Sequence, residues 1–151
     1  MKRLFLIAAP TFLALSSTFC VAQEKGYWRA ASSNAGSITG DIEMSDTRVS
    51  INFTGFPIAQ IRHLSPAEAS AVFASEPPGA GGNLFRLNVP AKQHFLHHNS
   101  LCGGDDTQWM VTSVGDRTML VAFFSGPDTP VFTPEALANS TDLCGTFAYV
   151  R

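Results

Sequence analysis

Two segments of the chain echo one another: Leu101-Cys102-Gly103-Gly104 and Leu143-Cys144-Gly145-Thr146-Phe147. A bridge between these cysteines would join two distant segments and so restrict the folds that can satisfy it. Whether they pair depends on the compartment, and the first residues bear on that. Met1-Lys2-Arg3 is positive, Leu4 to Leu15 is almost wholly apolar, and Ser16-Ser17-Thr18 leads into Phe19-Cys20-Val21-Ala22. This is the three-part order of a secretory signal peptide, with cleavage expected after Ala22. The apolar run falls short of the ~20 residues needed to span a bilayer, and no second one follows, so no transmembrane span is expected in the mature chain. Removal of residues 1–22 takes Cys20 away. Cys102 and Cys144 then remain as an even pair in an oxidising compartment, which reads as one disulfide. The expected location is periplasmic or secreted. A bridge closing so long a loop is worth roughly 4 kcal/mol in the chain-entropy account.

The remaining residues 23–151 are enough for a single domain with a core of its own. Without Lys2 and Arg3, eight basic residues face twelve acidic ones, a net charge of −4 with histidine neutral. Such a chain is not equipped to track a phosphate backbone, so nucleic acid is excluded as a partner.

Alternation with a period of two dominates the pattern. Tyr27-Trp28-Arg29-Ala30 reads as an opening strand. Ile38, Gly40, Ile42 and Met44 alternate with Thr39, Asp41 and Glu43, and Val49, Ile51 and Phe53 alternate with Arg48, Ser50 and Asn52. These two runs predict an antiparallel hairpin. Thr54-Gly55-Phe56-Pro57 is expected to break the run, since proline cannot donate to a central ladder, with a weaker strand over 58–64. Ser65-Pro66-Ala67-Glu68 is a helix start with Ser as N-cap, Pro at the first position and Glu reaching back; the helix should run to about Ser75, and Glu76 to Gly82 should form a loop. Phe85, Leu87 and Val89 mark a further strand. Gln108–Val114 and Arg117–Phe124 flank Gly115-Asp116, read as a two-residue hairpin loop with glycine at positive φ. The run Met119 to Phe124 is apolar on both faces and is taken as the central strand. Thr133-Pro134-Glu135-Ala136-Leu137 suggests one helical turn, and Leu143 to Val150 a closing strand. The sum is an all-β chain, an antiparallel barrel of about eight strands or else a small β-sandwich, with one short helix and one disulfide.

The run Asn99-Ser100-Leu101-Cys102-Gly103, followed by a hairpin, Ser125-Gly126 and the terminal Leu143-Cys144-Gly145-Thr146-Phe147-Ala148-Tyr149, resembles a pattern in small exported proteobacterial proteins of unknown function. Leu84-Phe85-Arg86-Leu87 and Pro90 fit it too, so the similarity covers mainly the second half. It implies an exported bacterial protein with a paired-cysteine framework. It implies no activity and no catalytic residue.

Candidate chemistry is sparse. His94, His97 and His98 could offer imidazoles to Zn²⁺ or Cu²⁺, with Asp105 and Asp106 close in sequence, but no full ligand motif surrounds them. Ser100 stands near His97 and His98 without a nucleophile elbow. Asp105-Asp106 lie in a glycine-rich turn, which explains them without glycosidase chemistry. Asn52-Phe53-Thr54 and Asn139-Ser140-Thr141 match a glycosylation sequon by chance. Trp28, Phe85, Trp109, Phe123, Phe147 and Tyr149 fall on expected strands and could line a pocket for a small apolar ligand, or simply fill a core. The resulting expectation is a non-catalytic exported protein, without cofactor, that binds a small apolar ligand or another envelope protein. The alternatives are an inhibitor-type interaction module and a metal-handling envelope protein using the His94–His98 segment.

Overall fold

The structure is a computed structural model that describes residues 24–74 and 81–151. The expected signal peptide and the stretch from Ser75 to Ala80 lie outside the described residues. Eight strands follow one another around a closed barrel: β1 (Gly26–Ala30), β2 (Ile42–Met44), β3 (Arg48–Ile51), β4 (Thr54–Leu64), β5 (Gly82–Val89), β6 (Thr107–Val114), β7 (Thr118–Phe124) and β8 (Leu143–Val150). Each pairs antiparallel with its sequence neighbour, and β1 meets β8 through Arg29↔Val150 and Ala30↔Tyr149. The barrel expected from the alternation is therefore the observed one, and the sandwich is not. Among the described residues there are two α-helices, α1 (Pro66–Val72) and α2 (Pro134–Ala138). Among the described residues no helix is long and apolar enough to cross a membrane.

An up-and-down order places alternate connections at opposite ends. One end carries the long loops 31–41, 90–106 and 125–142 together with the tight turn at Asn52-Phe53. The other end carries the turns at 45–47 and 115–117, the α1 connection, and both described termini. Within the barrel, inward residues of every strand meet: Trp28, Ile42, Met44, Val49, Ile51, Phe56, Phe85, Leu87, Met110, Val121, Phe147 and Tyr149 belong to one cluster. Phe95 and Leu101 join it from the long-loop end. Phe123 and Phe147 pack edge to face with ring centres 5.4 Å apart, and so do Phe56 and Phe95 at 6.0 Å. The Tyr149 hydroxyl lies 2.7 Å from Thr39 Oγ1, so the one buried phenol is satisfied inside the barrel. Burial pushes that phenol up from its ordinary value.

A second apolar layer lies outside. Leu84, Trp109, Val111, Leu120, Ala122 and Phe124 point outward from β5–β7 and are covered by Val72, Phe73 and Phe132. Phe124 and Phe132 pack edge to face at 6.0 Å. This explains why the run 119–124 is apolar on both faces. In a closed barrel no strand is central; β7 is instead covered from without by the segments around α1 and α2.

α1 has the expected capping box, with Ser65 Oγ accepting from the Glu68 N–H at 3.2 Å and Glu68 accepting from the Ser65 N–H at 2.9 Å. It ends at Val72, short of Ser75. Three local expectations are corrected. First, residues 35–39 form a π-helical turn, and only Ile42–Met44 is strand. The Asn34 side chain accepts from the Ala35 N–H to start the turn, and Gly40 at φ 64 ends it. That turn carries Thr39 inward to Tyr149. Second, Pro57 lies within β4. The close of the β3–β4 hairpin at Ile51↔Thr54 and the bond from the Ile58 N–H to the Thr47 carbonyl make Arg48↔Pro57 a non-hydrogen-bonded pair. The proline nitrogen therefore points toward β5, whose ladder with β4 begins only at Ile58↔Leu87. Third, Gly115 does not have positive φ; the turn closes by the Gly115 N–H donating to the Thr118 carbonyl at 2.9 Å.

The bridge joins Cys102 to Cys144, with Cα atoms 4.9 Å apart. It ties the β5–β6 loop to the first residues of β8 at the long-loop end. Gly103 has φ 63, so glycine suits the corner after Cys102. Gly145 has no positive φ and pairs with Phe123 just before a register shift in the β7–β8 ladder.

Candidate binding face

The aromatic residues singled out as possible ligand-lining groups separate into two places. Trp28, Phe85, Phe123, Phe147 and Tyr149 are inside the barrel, packed against one another and against aliphatic neighbours. Trp109 is outside, in the second layer. Its indole N–H donates to the Gly126 carbonyl at 3.2 Å, and the Arg86 guanidinium stacks 4.5 Å from a ring centre. The reason is register: Trp109 pairs with Phe124 and Met110 with Phe123, and one step along a strand changes the face. Trp28 is wholly buried; it donates from Nε1 to the Glu24 carbonyl at 2.7 Å, and Arg151 stacks on it at 4.3 Å. An eight-stranded barrel is just wide enough to be filled by side chains or to hold one small ligand. Here aromatic and aliphatic side chains from all around the wall meet in the interior.

The histidines form a turn. The Phe95 N–H donates to the Asn99 carbonyl at 2.8 Å and the Asn99 N–H to the Leu96 carbonyl at 3.0 Å. His97 and His98, the central residues, have φ of 54 and 60, which is the backbone of a type I′ turn. His94, His97 and His98 are all exposed. The rings of His94 and His98 lie edge to face with centres 6.5 Å apart. Among the described residues no group of three or more His, Cys, Asp or Glu side chains is gathered as a metal site requires. Ser100 donates to the Gly103 carbonyl at 2.8 Å, and Asp106 accepts from the Ala91 N–H at 2.8 Å; both serve their own loop.

The residues that sequence reasoning missed lie at the same end. Asn52 and Phe53 have φ of 46 and 65 and form the two-residue turn between β3 and β4. A non-glycine residue at positive φ is uncommon, and for a bulky one it is an outlier. Phe53 is also 101% exposed, while Tyr27 on β1 is 58% exposed. Between them runs an open cleft lined by Tyr27, Asp41, Glu43, Ser50, Phe53 and Leu96. Leu96 is seated there because Gly40 leaves it room: a Cβ on Gly40 would come within 3.1 Å of Leu96 Cδ1. The Tyr27 hydroxyl donates to Asp41, and the Ala30 N–H donates to the same carboxylate at 2.8 Å. Those two bonds hold the Asp41 carboxyl below its ordinary value, and the bond to Asp41 raises the Tyr27 phenol. The available sequence signal was Asn52, which tolerates the left-handed region and favours a turn. The alternation runs on through Phe53 and masks it.

No protein-family model matches this chain, and no curated protein or solved structure is similar to it.

Proposed function

We propose that this is a non-catalytic binding module of the bacterial cell envelope, working in the periplasm or outside the cell, that presents the long-loop end of its barrel to another protein. The observation that carries this reading is Phe53: an aromatic side chain fully in water, on a strained backbone, at the tip of a tight turn. Folding gains nothing from such a residue. Exposed apolar groups beside a polar-rimmed cleft fit an interaction surface, and backbone strain persists where a site needs it. Of the two occupants expected from the sequence, the packed interior favours a protein partner over a small apolar ligand. Export is supported by the leader pattern and by the disulfide.

The test is a photo-crosslinking residue at position 53, with position 59 on the exposed face of β4 as control, in cells that export the protein. Position 53 is expected to give a discrete crosslinked species that position 59 does not. The reading fails if neither position, or only the control, is crosslinked.

A further inference from the structure

The cleft beside Phe53 has a chemistry that narrows what it can hold. Tyr27 pairs with Glu43, and Glu43 with Ser50, so these outward side chains form a row across β1–β3. Asp41, Leu96 and Phe53 all lie toward the long-loop end of that row and line the same cleft. The Asp41 carboxylate is committed to Tyr27 and to the Ala30 N–H. The Glu43 carboxylate is exposed and has no hydrogen-bond or ion-pair partner among the described residues. Arg29 lies close enough to lower Asp41 slightly, yet makes no ion pair with Asp41 or Glu43 among the described residues. The cleft therefore combines two carboxylates, two exposed aromatic rings and an aliphatic wall.

We infer that the cleft takes a cationic segment of the partner protein, a Lys or Arg flanked by an apolar residue. The cation would meet Glu43 and the ring faces of Tyr27 and Phe53, while its alkyl stem lay along Leu96. The apolar neighbour would cover Phe53. A small organic cation would leave Phe53 in water, because the cleft is open on one side. An acidic partner would face two carboxylates and the negative net charge of the chain. This inference rests on the proposal that the Phe53 end is the docking end and adds the chemistry of what docks there.

The experiment is selection of a random peptide library displayed on phage against the oxidised exported protein, followed by titration of the enriched peptides. Enriched sequences are expected to carry Lys or Arg next to a bulky apolar residue. Glu43→Gln should weaken their binding about fivefold and make it less sensitive to salt. Phe53→Gly should weaken it about tenfold or more, as loss of an aromatic anchor does. Both variants should keep the parent fold, since both side chains are exposed and glycine relieves the backbone at position 53. Acidic or uncharged enriched peptides, or binding unaffected by Glu43→Gln, would overturn the assignment. So would a parent dimer in sedimentation that Phe53→Gly dissociates, which would give the cleft to a second copy. If position 53 crosslinks a partner through an acidic or uncharged segment, the charge assignment falls and the docking end stands. If enriched basic peptides bind Phe53→Gly as they bind the parent, both fall.

Discussion

Strands β5–β8 and strands β1–β4 share one interior but differ in what lies outside them. Outside β5–β8 a second apolar layer is closed over by α1, Phe132 and the segment around α2. Outside β1–β4, Tyr27, Glu43, Arg48, Pro57 and Ala59 are exposed and Ser50 is half-buried, while Leu64 at the end of β4 joins the outer layer. In the covered half β7 is apolar on both faces and reads as a near-continuous hydrophobic run. In the bare half β1–β3 alternate. A β-strand's sequence pattern therefore reports its cover as well as its inward face. The cleft, with its exposed aromatic residues, lies on the bare half.

The two halves should nevertheless unfold as one body, and the bridge is the strongest test. Replacing Cys102 and Cys144 by Ser removes a link between positions 42 residues apart, with an expected loss of about 4 kcal/mol. Followed separately in single-tryptophan variants, Trp28 reports the interior and Trp109 the outer layer. Coincident denaturant midpoints, both shifted, are expected. A shift seen by one tryptophan alone would show the halves to be independent.

Next in size is Phe132→Ala, which empties the centre of the outer layer. A loss of about 3 kcal/mol is expected, again seen by both tryptophans, because Phe132 covers Phe124 on β7. An unchanged midpoint would mean that the second layer is a cover without energetic weight.

Tyr149→Phe tests the shared interior. Losing the bond to Thr39 should cost about 1 kcal/mol, since Thr39 Oγ1 keeps the Ala35 carbonyl at 3.2 Å as a partner. The variant should also differ at high pH. The buried phenol titrates above its ordinary value of 10.0. Burial, not the Thr39 bond, causes that rise: the folded barrel resists the phenolate, so the parent is undiminished by this group below about pH 10 and loses stability as pH rises further. Midpoints measured from pH 8 to 11 should fall more steeply for the parent than for the variant.

The smallest effect concerns α1. Arg62, and then the Ser65 N–H, lower the Glu68 carboxyl from 4.5 to about 2. This contribution is present above about pH 4.5 and is lost as pH falls toward 2. Because the pair is exposed, Glu68→Gln should flatten the acid limb by less than about 1 kcal/mol. An identical acid limb in parent and variant would show that the Arg62 pair does not hold the helix in place.

What could be read from the sequence follows the same division. The Ser65-Pro66-Ala67-Glu68 start was legible because it is local chemistry, two backbone donors answered within four residues. The bridge was legible from the even cysteine count that the expected leader cleavage leaves, and the barrel from a succession of alternating segments. Pro57 misled because its tolerance depends on where the neighbouring ladder begins, a fact of tertiary register. Ile38 and Thr39 misled because a π-helical turn and a strand can carry the same short apolar pattern. Trp109 and Phe53 share a cause: composition gives no warning when an aromatic residue is on the outward step, whether it is then covered, as Trp109 is, or left in water, as Phe53 is.

The seam between β1 and β8 bears on the order of assembly. Every other strand pair joins neighbours in the chain, so its contacts are the more local ones, which favours rapid pairing. The seam instead brings Arg29 and Ala30 to Val150 and Tyr149, at opposite ends of the described chain. Until residues 143–150 have emerged there can be at most a seven-stranded open sheet with two unpaired edges, and Cys102 has no Cys144 to meet. For a chain threaded N-terminus first across a membrane, that interval is the window in which edge strands can pair with the wrong neighbour. The last few residues delivered would both shut the barrel and end its vulnerability.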